Sequence, residues 1–387
     1  MAQTYKFGKD GQWATKKGST LAYSDTNNAF KPLPFSFERN SIATRVNKEG
    51  LIEVVGNDIP RIDYTDSTEG ALLLENSATN FIPYSEDFTQ WSKIGGVVVT
   101  NDFAISPNGT QNASKLVYNG TTSGRVEKST SASGTVTQSV YLKTESGTQE
   151  VSIGMGSSTL TEVTVTNEWQ RFEFAGSGSY PRILCNDVAT IYAWGAMLEA
   201  NSVASSYIPT NGSTVQRAAE TCNESGNSEV FNSEGVLFAN IAANANDGTF
   251  RVIALNGAST NLNSDRVQLY FRSDADKISF YIENNNNNEF LRSIDVNVKN
   301  YNKVAFKYGN TTKVYINGFN VAEGSGVTIP SNLQRLDFNE QNGGNDYYGK
   351  TKELGYYDTA LTDAELEKLT SYRSLNEMVT ELNLNAL

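Results

Sequence analysis

The sequence predicts an all-β protein of two successive antiparallel β-sandwiches of jelly-roll type, with an N-terminal attachment arm and a short C-terminal helix. Three observations carry the prediction. Fourteen or more short runs rich in Val, Ile, Thr, Tyr and Phe follow one another, several alternating with period two and most separated by Gly, Ser or Asn. Of the 387 residues only 38% are apolar, yet 19 Tyr and 18 Phe are present, a profile that suits sheets with one wet face. A single strong helix signal, Thr362 with Glu365 three residues on and Leu366 and Leu369 behind them, stands near the end.

In chain order, residues 1–38 contain Gly8, Gly11, Gly18, Pro32, Pro34 and Trp13, too irregular for a core and too aromatic for a plain linker. They are expected to form an attachment arm that orders on a partner. Residues 39–80 are expected to form a joint, its hairpin pairing Leu51–Val55 with Arg61–Tyr64 across the turn Gly56–Pro60. The brief apolar run Leu72–Glu75 would pack that hairpin onto the following domain.

Residues 81–215 carry the first regular series: Val97–Thr100, Ala113–Tyr118, Thr135–Leu142, Glu150–Ile153, Glu162–Val165, Gln170–Phe174 and Ala189–Trp194. A polar stretch over 211–233 marks a boundary. The second series, within 233–360, comprises Gly235–Ile241, Phe250–Leu255, Arg266–Phe271, Lys277–Ile282, Lys303–Tyr308, Lys313–Asn317 and Leu333–Phe338. The Asn284–Asn288 run between two strands reads as a solvated hairpin tip. Residues 361–387 are expected to form a helical segment, with Leu375, Met378, Val379 and Leu382 at helical intervals, a face that either packs on its own sandwich or mediates oligomerisation.

Composition excludes several function classes. A net charge of −12 opposes nucleic-acid binding, because neutralising phosphates takes clustered Lys and Arg. No apolar run is long enough to insert in a membrane, and Met1–Lys6 leads into no apolar segment, so synthesis in a cytoplasm is expected. With no histidine there is no Ser-His-Asp triad, no Cys-His dyad and no His-ligated metal. Cys185 and Cys222 lack metal-like spacing, and two unlinked thiols is the simpler reading than a disulfide.

Glycosidase chemistry would need two carboxylates facing each other across a cleft, and no pair is singled out, so no enzyme is expected. No cofactor is expected either. Structural calcium at the acidic loops Asn223–Glu229 or Asp274–Asp276 is the one metal option, although neither has EF-hand spacing. For sugar binding, Asn342, Asn345, Asp346, Tyr347 and Tyr348 combine amide, carboxylate and aromatic groups in one expected loop. The competing reading is a turn whose tyrosines close the core. Trp91, Trp169 and Trp194 lie in or beside strand runs and read as core residues.

The joint and its continuation resemble a segment of bacteriophage and prophage structural proteins. The matching pieces are Arg39–Val46, Pro60–Tyr64, Leu72–Glu75 with Thr79-Asn80, and Tyr84–Trp91. A second group comprises Trp194–Glu199, Ala204–Thr210 and Val215–Ala219. The resemblance implies that residues 81–215 look like a carbohydrate-binding module in a virion tail-fibre, head-fibre or receptor-binding protein. Held to other virion proteins by its N-terminal region, it would adhere to host-surface or mucosal glycans. Homo-oligomers, trimers among them, are expected by analogy with fibres. The C-terminal module is similar in pattern to laminin-G or concanavalin-like jelly rolls, through Val314–Gly318 and Glu353–Tyr357 leading to Leu361–Glu365. The alternatives are a virion decoration or spacer without a sugar ligand, and a bacterial surface glycan-binding protein or polysaccharide-degrading enzyme.

Overall fold

The computed structural model describes residues 3–156, 159–257, 264–272, 274, 276–340, 343–382 and 384. The chain forms two compact units, each assembled from separated stretches. The first comprises residues 1–39, 57–76 and 220–387, and the second residues 40–56 and 77–219.

In the first unit a ten-stranded sheet faces a five-stranded one. Gly349–Tyr357 is the pivot of the larger sheet. One of its edges pairs with Gly235–Ala243; the other pairs with Tyr5–Phe7 for half its length and with Ala71–Leu74 for the rest. Alternation along Gly235–Ala243 sends Leu237, Ala239 and Ile241 into the core against Ile253, Leu255, Leu269, Phe271 and Phe280 of the smaller sheet. Val236 and Phe238 point the other way and are covered, with Ala305 and Tyr315, by Leu361, Leu366 and Leu369 of the C-terminal helix region. The helix Asp363–Thr370 carries the expected capping box. A second helix, Leu375–Glu381, is tied down by Lys303–Glu377 and Lys352–Glu381 ion pairs, each 2.6 Å.

Three expectations are corrected here. Residues 1–38 are woven into the first unit: Tyr5 and Phe7 are fully buried, and Phe35–Glu38 pairs with Thr221–Asn223. The hairpin expected between Leu51–Val55 and Arg61–Tyr64 does not form. Ile52–Val55 pairs with Ala43–Val46 in the second unit, and Arg61–Asp63 with Ala71–Leu74 in the first. The apolar Leu72–Leu74 run is a central strand of the first unit, because its partner is Gly349–Tyr357. The Asn run is a hairpin tip, with Asn285 and Asn286 at φ 50° and 65°, the two positive values a type I′ turn requires.

The second unit packs two five-stranded antiparallel sheets around Leu116, Val140, Leu142, Ile153, Ile183 and Ile191. All seven strand runs expected there are present, most of them longer than the sequence suggested. Cys185 and Cys222 are free, buried and in different units. Trp91 and Trp194 are core residues, whereas Trp169 is half-buried. Among the described residues no helix is long and apolar enough to cross a membrane.

Candidate functional site

The five-stranded sheet of the first unit runs Asn287–Asp295, Lys277–Asn284, Arg266–Phe271, Arg251–Gly257 and Leu333–Asp337. Alternation in Arg266–Phe271 sends Val267, Leu269 and Phe271 to the core and leaves Arg266, Gln268 and Tyr270 on the opposite face. Cross-strand register sets Gln268 beside Ala254 and Tyr281, Tyr270 beside Val252 and Ser279, and Arg266 beside Asn256 and Glu283. This outer face therefore carries an aromatic strip flanked by amides and charges. Phe250 stacks on Tyr270 at 5.8 Å, and the Arg266 guanidinium lies 5.2 Å from the Tyr281 ring centre.

The charges on the face are fixed by one another. Arg266 pairs with Glu283 at 2.7 Å. Asp337 accepts from Asn256 Nδ2 at 2.7 Å, from Arg335 Nε at 2.8 Å and from the Glu224 backbone at 2.7 Å. The bond from its nitrogen settles which way the Asn256 amide lies, leaving its Oδ1 turned from Asp337. Among the described residues Asn256 Oδ1 and Gln268 Oε1 are buried acceptors with no partner. Buried polar atoms are nearly always satisfied, so two orphaned amide oxygens on one sheet face mark a surface short of donors.

The loop singled out from sequence adjoins this sheet, since the Val252 amide donates to the Asn345 carbonyl at 3.1 Å. Asn345 is exposed at φ 53°. Asp346 accepts from Tyr348 Oη at 3.1 Å and Asn339 Nδ2 at 3.3 Å, and burial raises its carboxyl above the ordinary range. Tyr347 turns inward: its ring packs near Phe271 and Phe338, and its hydroxyl donates to the carbonyls of Ala242 and Lys350 at 3.0 and 3.1 Å. Tyr347 is thus a core residue and offers no face to a sugar. Asn342 lies outside the described residues. Tyr347→Phe is expected to cost about 1–2 kcal/mol, the penalty for under-satisfied buried carbonyls, measured by chemical denaturation, with ligand binding on the sheet face unchanged.

The pieces that carry the phage resemblance divide between the units: Pro60–Tyr64 and Leu72–Glu75 lie in the first, and most of the others lie in the second. Asn80 Nδ2 donates to the carbonyls of Ala196 and Ile208, while its Oδ1 accepts from the amides of Ile82 and Leu198. Tyr207 packs against Trp194 with ring centres 4.6 Å apart and planes tilted by 50°, and its hydroxyl meets Ser85 Oγ and Glu86 Oε1, both at 2.7 Å. Arg217 Nη1 donates to Ser206 Oγ at 2.9 Å, and Glu199 accepts from the Ser205 amide and hydroxyl. Gly195, at φ 63°, makes the bulge that lets Trp194 and Met197 share one face; a side chain there would press on Tyr141. In the second unit the motif residues form a scaffold of internal polar bonds.

Burial raises Glu86 and Glu199 above the ordinary carboxylate value. Both bind protons more readily folded than unfolded. Their contribution to stability is therefore fully present below about pH 4.5 and lost as pH rises through the raised values. Glu86→Gln is expected to flatten that part of the second unit's pH–stability profile, read by thermal melts between pH 4 and 7.

Of the acidic loops, Asp274 pairs with Arg272 at 3.6 Å and Asn223 ends a strand. Among the described residues no group of three or more Cys, Asp or Glu is arranged to hold a metal.

No curated protein sequence matches the chain. Among solved structures, a leech intramolecular trans-sialidase aligns at 15% identity over 36% of this chain and 24% of its own, with TM-score 0.31. The CBM40 of a Ruminococcus gnavus IT-sialidase, bound to α2,6 sialyllactose, aligns at 15% identity over 36% of this chain and 84% of its own, TM-score 0.31. Domain 4 of AbnA, a Geobacillus stearothermophilus arabinanase in complex with arabinotriose, aligns at 12% over 44% and 84%, TM-score 0.32. At these scores the likenesses carry no weight for function. Residues 237–367 match the family model of the concanavalin A-like lectin/glucanases superfamily, and that segment contains all five strands of the smaller sheet and its outer face.

Proposed function

We propose that the outer face of the five-stranded sheet binds a glycan and that the protein is a non-enzymatic adhesion or fibre component of a phage virion. The observation that carries the binding reading is the pair of unpartnered amide oxygens, on Asn256 and Gln268, beside the Tyr270–Tyr281 strip. Pyranoses present apolar C–H faces to aromatic rings and hydroxyl donors to acceptors, the two things this face offers. The lectin/glucanase match over 237–367 supports the same reading. The virion assignment is supported by the ordered motif pieces between Arg39 and Ala219.

A glycan array with the full chain is the test. Saturable binding is expected, weakened about tenfold by Gln268→Ala and by Tyr281→Ala, the loss of a ligand hydrogen bond or stacking contact. Silence across host and mucosal glycans would leave a structural spacer as the function of this unit. Immunogold electron microscopy of purified particles tests the virion assignment, and a protein absent from every particle would overturn it.

A further inference from the structure

The second unit presents a different exposed face. On the sheet Val98–Ile105, Gln111–Asn119, Val188–Glu199, Thr135–Thr144 and Gln170–Ser177, part of the outer side is covered where Ile52, Tyr207 and Ile208 pack on Ala113, Trp194 and Met197. The remainder carries one cross-strand row. Lys115 and Lys143 flank Tyr192 in register on its two neighbouring strands. Phe103, 46% exposed, stacks on Tyr192 at 6.0 Å and 15°. The Lys115 ammonium stands 4.4 Å over Phe103, and the Lys143 ammonium 5.6 Å from Trp169 and 5.9 Å from Tyr192. Trp169 is held by its indole N–H on the Ile105 carbonyl at 3.0 Å.

Neither ammonium has a hydrogen-bonding or ion-pair partner among the described residues. In a chain with 43 acidic and 31 basic residues, two neighbouring lysines left without a carboxylate are notable. The nearby Glu145 instead engages the Tyr192 hydroxyl at 3.3 Å. Rings hold the lysines by cation–π attraction, which positions each ammonium without consuming its donors.

From this row we infer a second carbohydrate site, distinct from the one proposed on the first unit, whose ligand is an acidic polysaccharide bearing carboxylates on its pyranose rings. Phe103 and Trp169 offer aromatic surface to sugar C–H faces, and the two ammoniums, about two strand spacings or on the order of 10 Å apart, pair with carboxylates along the chain. A neutral glycan would leave both ammoniums unmatched. Two lysines on a protein of net charge −12 are too few to neutralise a nucleic-acid backbone.

The test is isothermal titration of the full chain with tetramers of galacturonate, mannuronate and glucuronate and with their methyl esters. At least one acid should bind saturably, with its ester and the Lys115→Gln/Lys143→Gln variant each weaker by about tenfold at low salt. Phe103→Ala, at an exposed position, should weaken it several-fold, while Gln268→Ala on the first unit leaves it unchanged. The inference is overturned if no acidic tetramer binds at millimolar concentration, if the double lysine variant binds as the parent does, or if Gln268→Ala abolishes binding. Near-ultraviolet circular dichroism identical to the parent's certifies that each variant is folded.

Discussion

Replacing Glu220 with alanine is expected to destabilise the first unit by about 3–5 kcal/mol, the usual consequence of stranding a buried charge. Glu220 is completely buried and accepts from Arg39 Nη1 at 2.7 Å, from Arg61 Nε at 2.9 Å and Arg61 Nη2, and from the Glu75 amide at 2.9 Å. Arg61 also meets Glu75 at 2.8 Å, and Arg39 donates to the Ile59 carbonyl at 3.0 Å. The positions are telling, because the chain leaves or re-enters the first unit after residues 39, 56, 76 and 219. Three members of the cluster stand within a residue of those points, and Arg61 is close by. The cluster thus fixes the geometry of the first unit where the chain is interrupted. Removing the carboxylate takes from both guanidinium groups the acceptor they share in a dry site. Because a two-unit chain need not unfold in one step, the measurement is hydrogen exchange by mass spectrometry, with second-unit peptides as internal reference. A double-mutant cycle with Arg61→Met should return a large coupling, since Met restores apolar packing without a charge. A loss below about 1 kcal/mol for Glu220→Ala would mean that water reaches the cluster and screens it.

The strand runs were legible because burial on one face writes itself as period-two alternation, and Arg266–Phe271 shows it in six residues. The same alternation makes the candidate sheet face readable in principle: Arg266, Gln268 and Tyr270 are the residues it excludes from the core. The loop reading fared less well. Tyr347 and Tyr348 are adjacent and chemically alike, and only the apolar wall made by Phe271 and Phe338 decides which is swallowed. The joint misled for a different reason. Gly56–Pro60 has good turn chemistry, but turn chemistry says that a chain bends, not which strand it then joins. Ile52–Val55 and Arg61–Asp63 find partners on their outer sides, Ala43–Val46 and Ala71–Leu74, and so belong to different units. No local signal distinguishes those pairings.

Removing residues 1–8 is expected to unfold the first unit outright. Tyr5 and Phe7 are fully buried, and each truncation of a buried aromatic to alanine costs about 3–5 kcal/mol. The deletion removes both rings together with the strand bonds to Leu354–Tyr356, so the loss matches or exceeds the roughly 5–15 kcal/mol by which a domain is stable. Its three-residue strand looked like an arm because its partner lies some 350 residues away; Thr4 Oγ1 donates to the Tyr356 carbonyl across a separation of 352 positions. This changes how attachment must be tested. Failure of a truncated chain to enter particles would result from unfolding alone, whether or not the N-terminal region touches a protein of the particle. Phe30 separates the two causes: it is 74% exposed, with its ring stacked on Tyr23 at 6.1 Å. Phe30→Ser is expected to leave hydrogen exchange in the first unit at the parent's rate. If it also blocks incorporation, the N-terminal region is a docking surface as well as a structural strand, whereas normal incorporation confines residues 1–38 to holding the sandwich together.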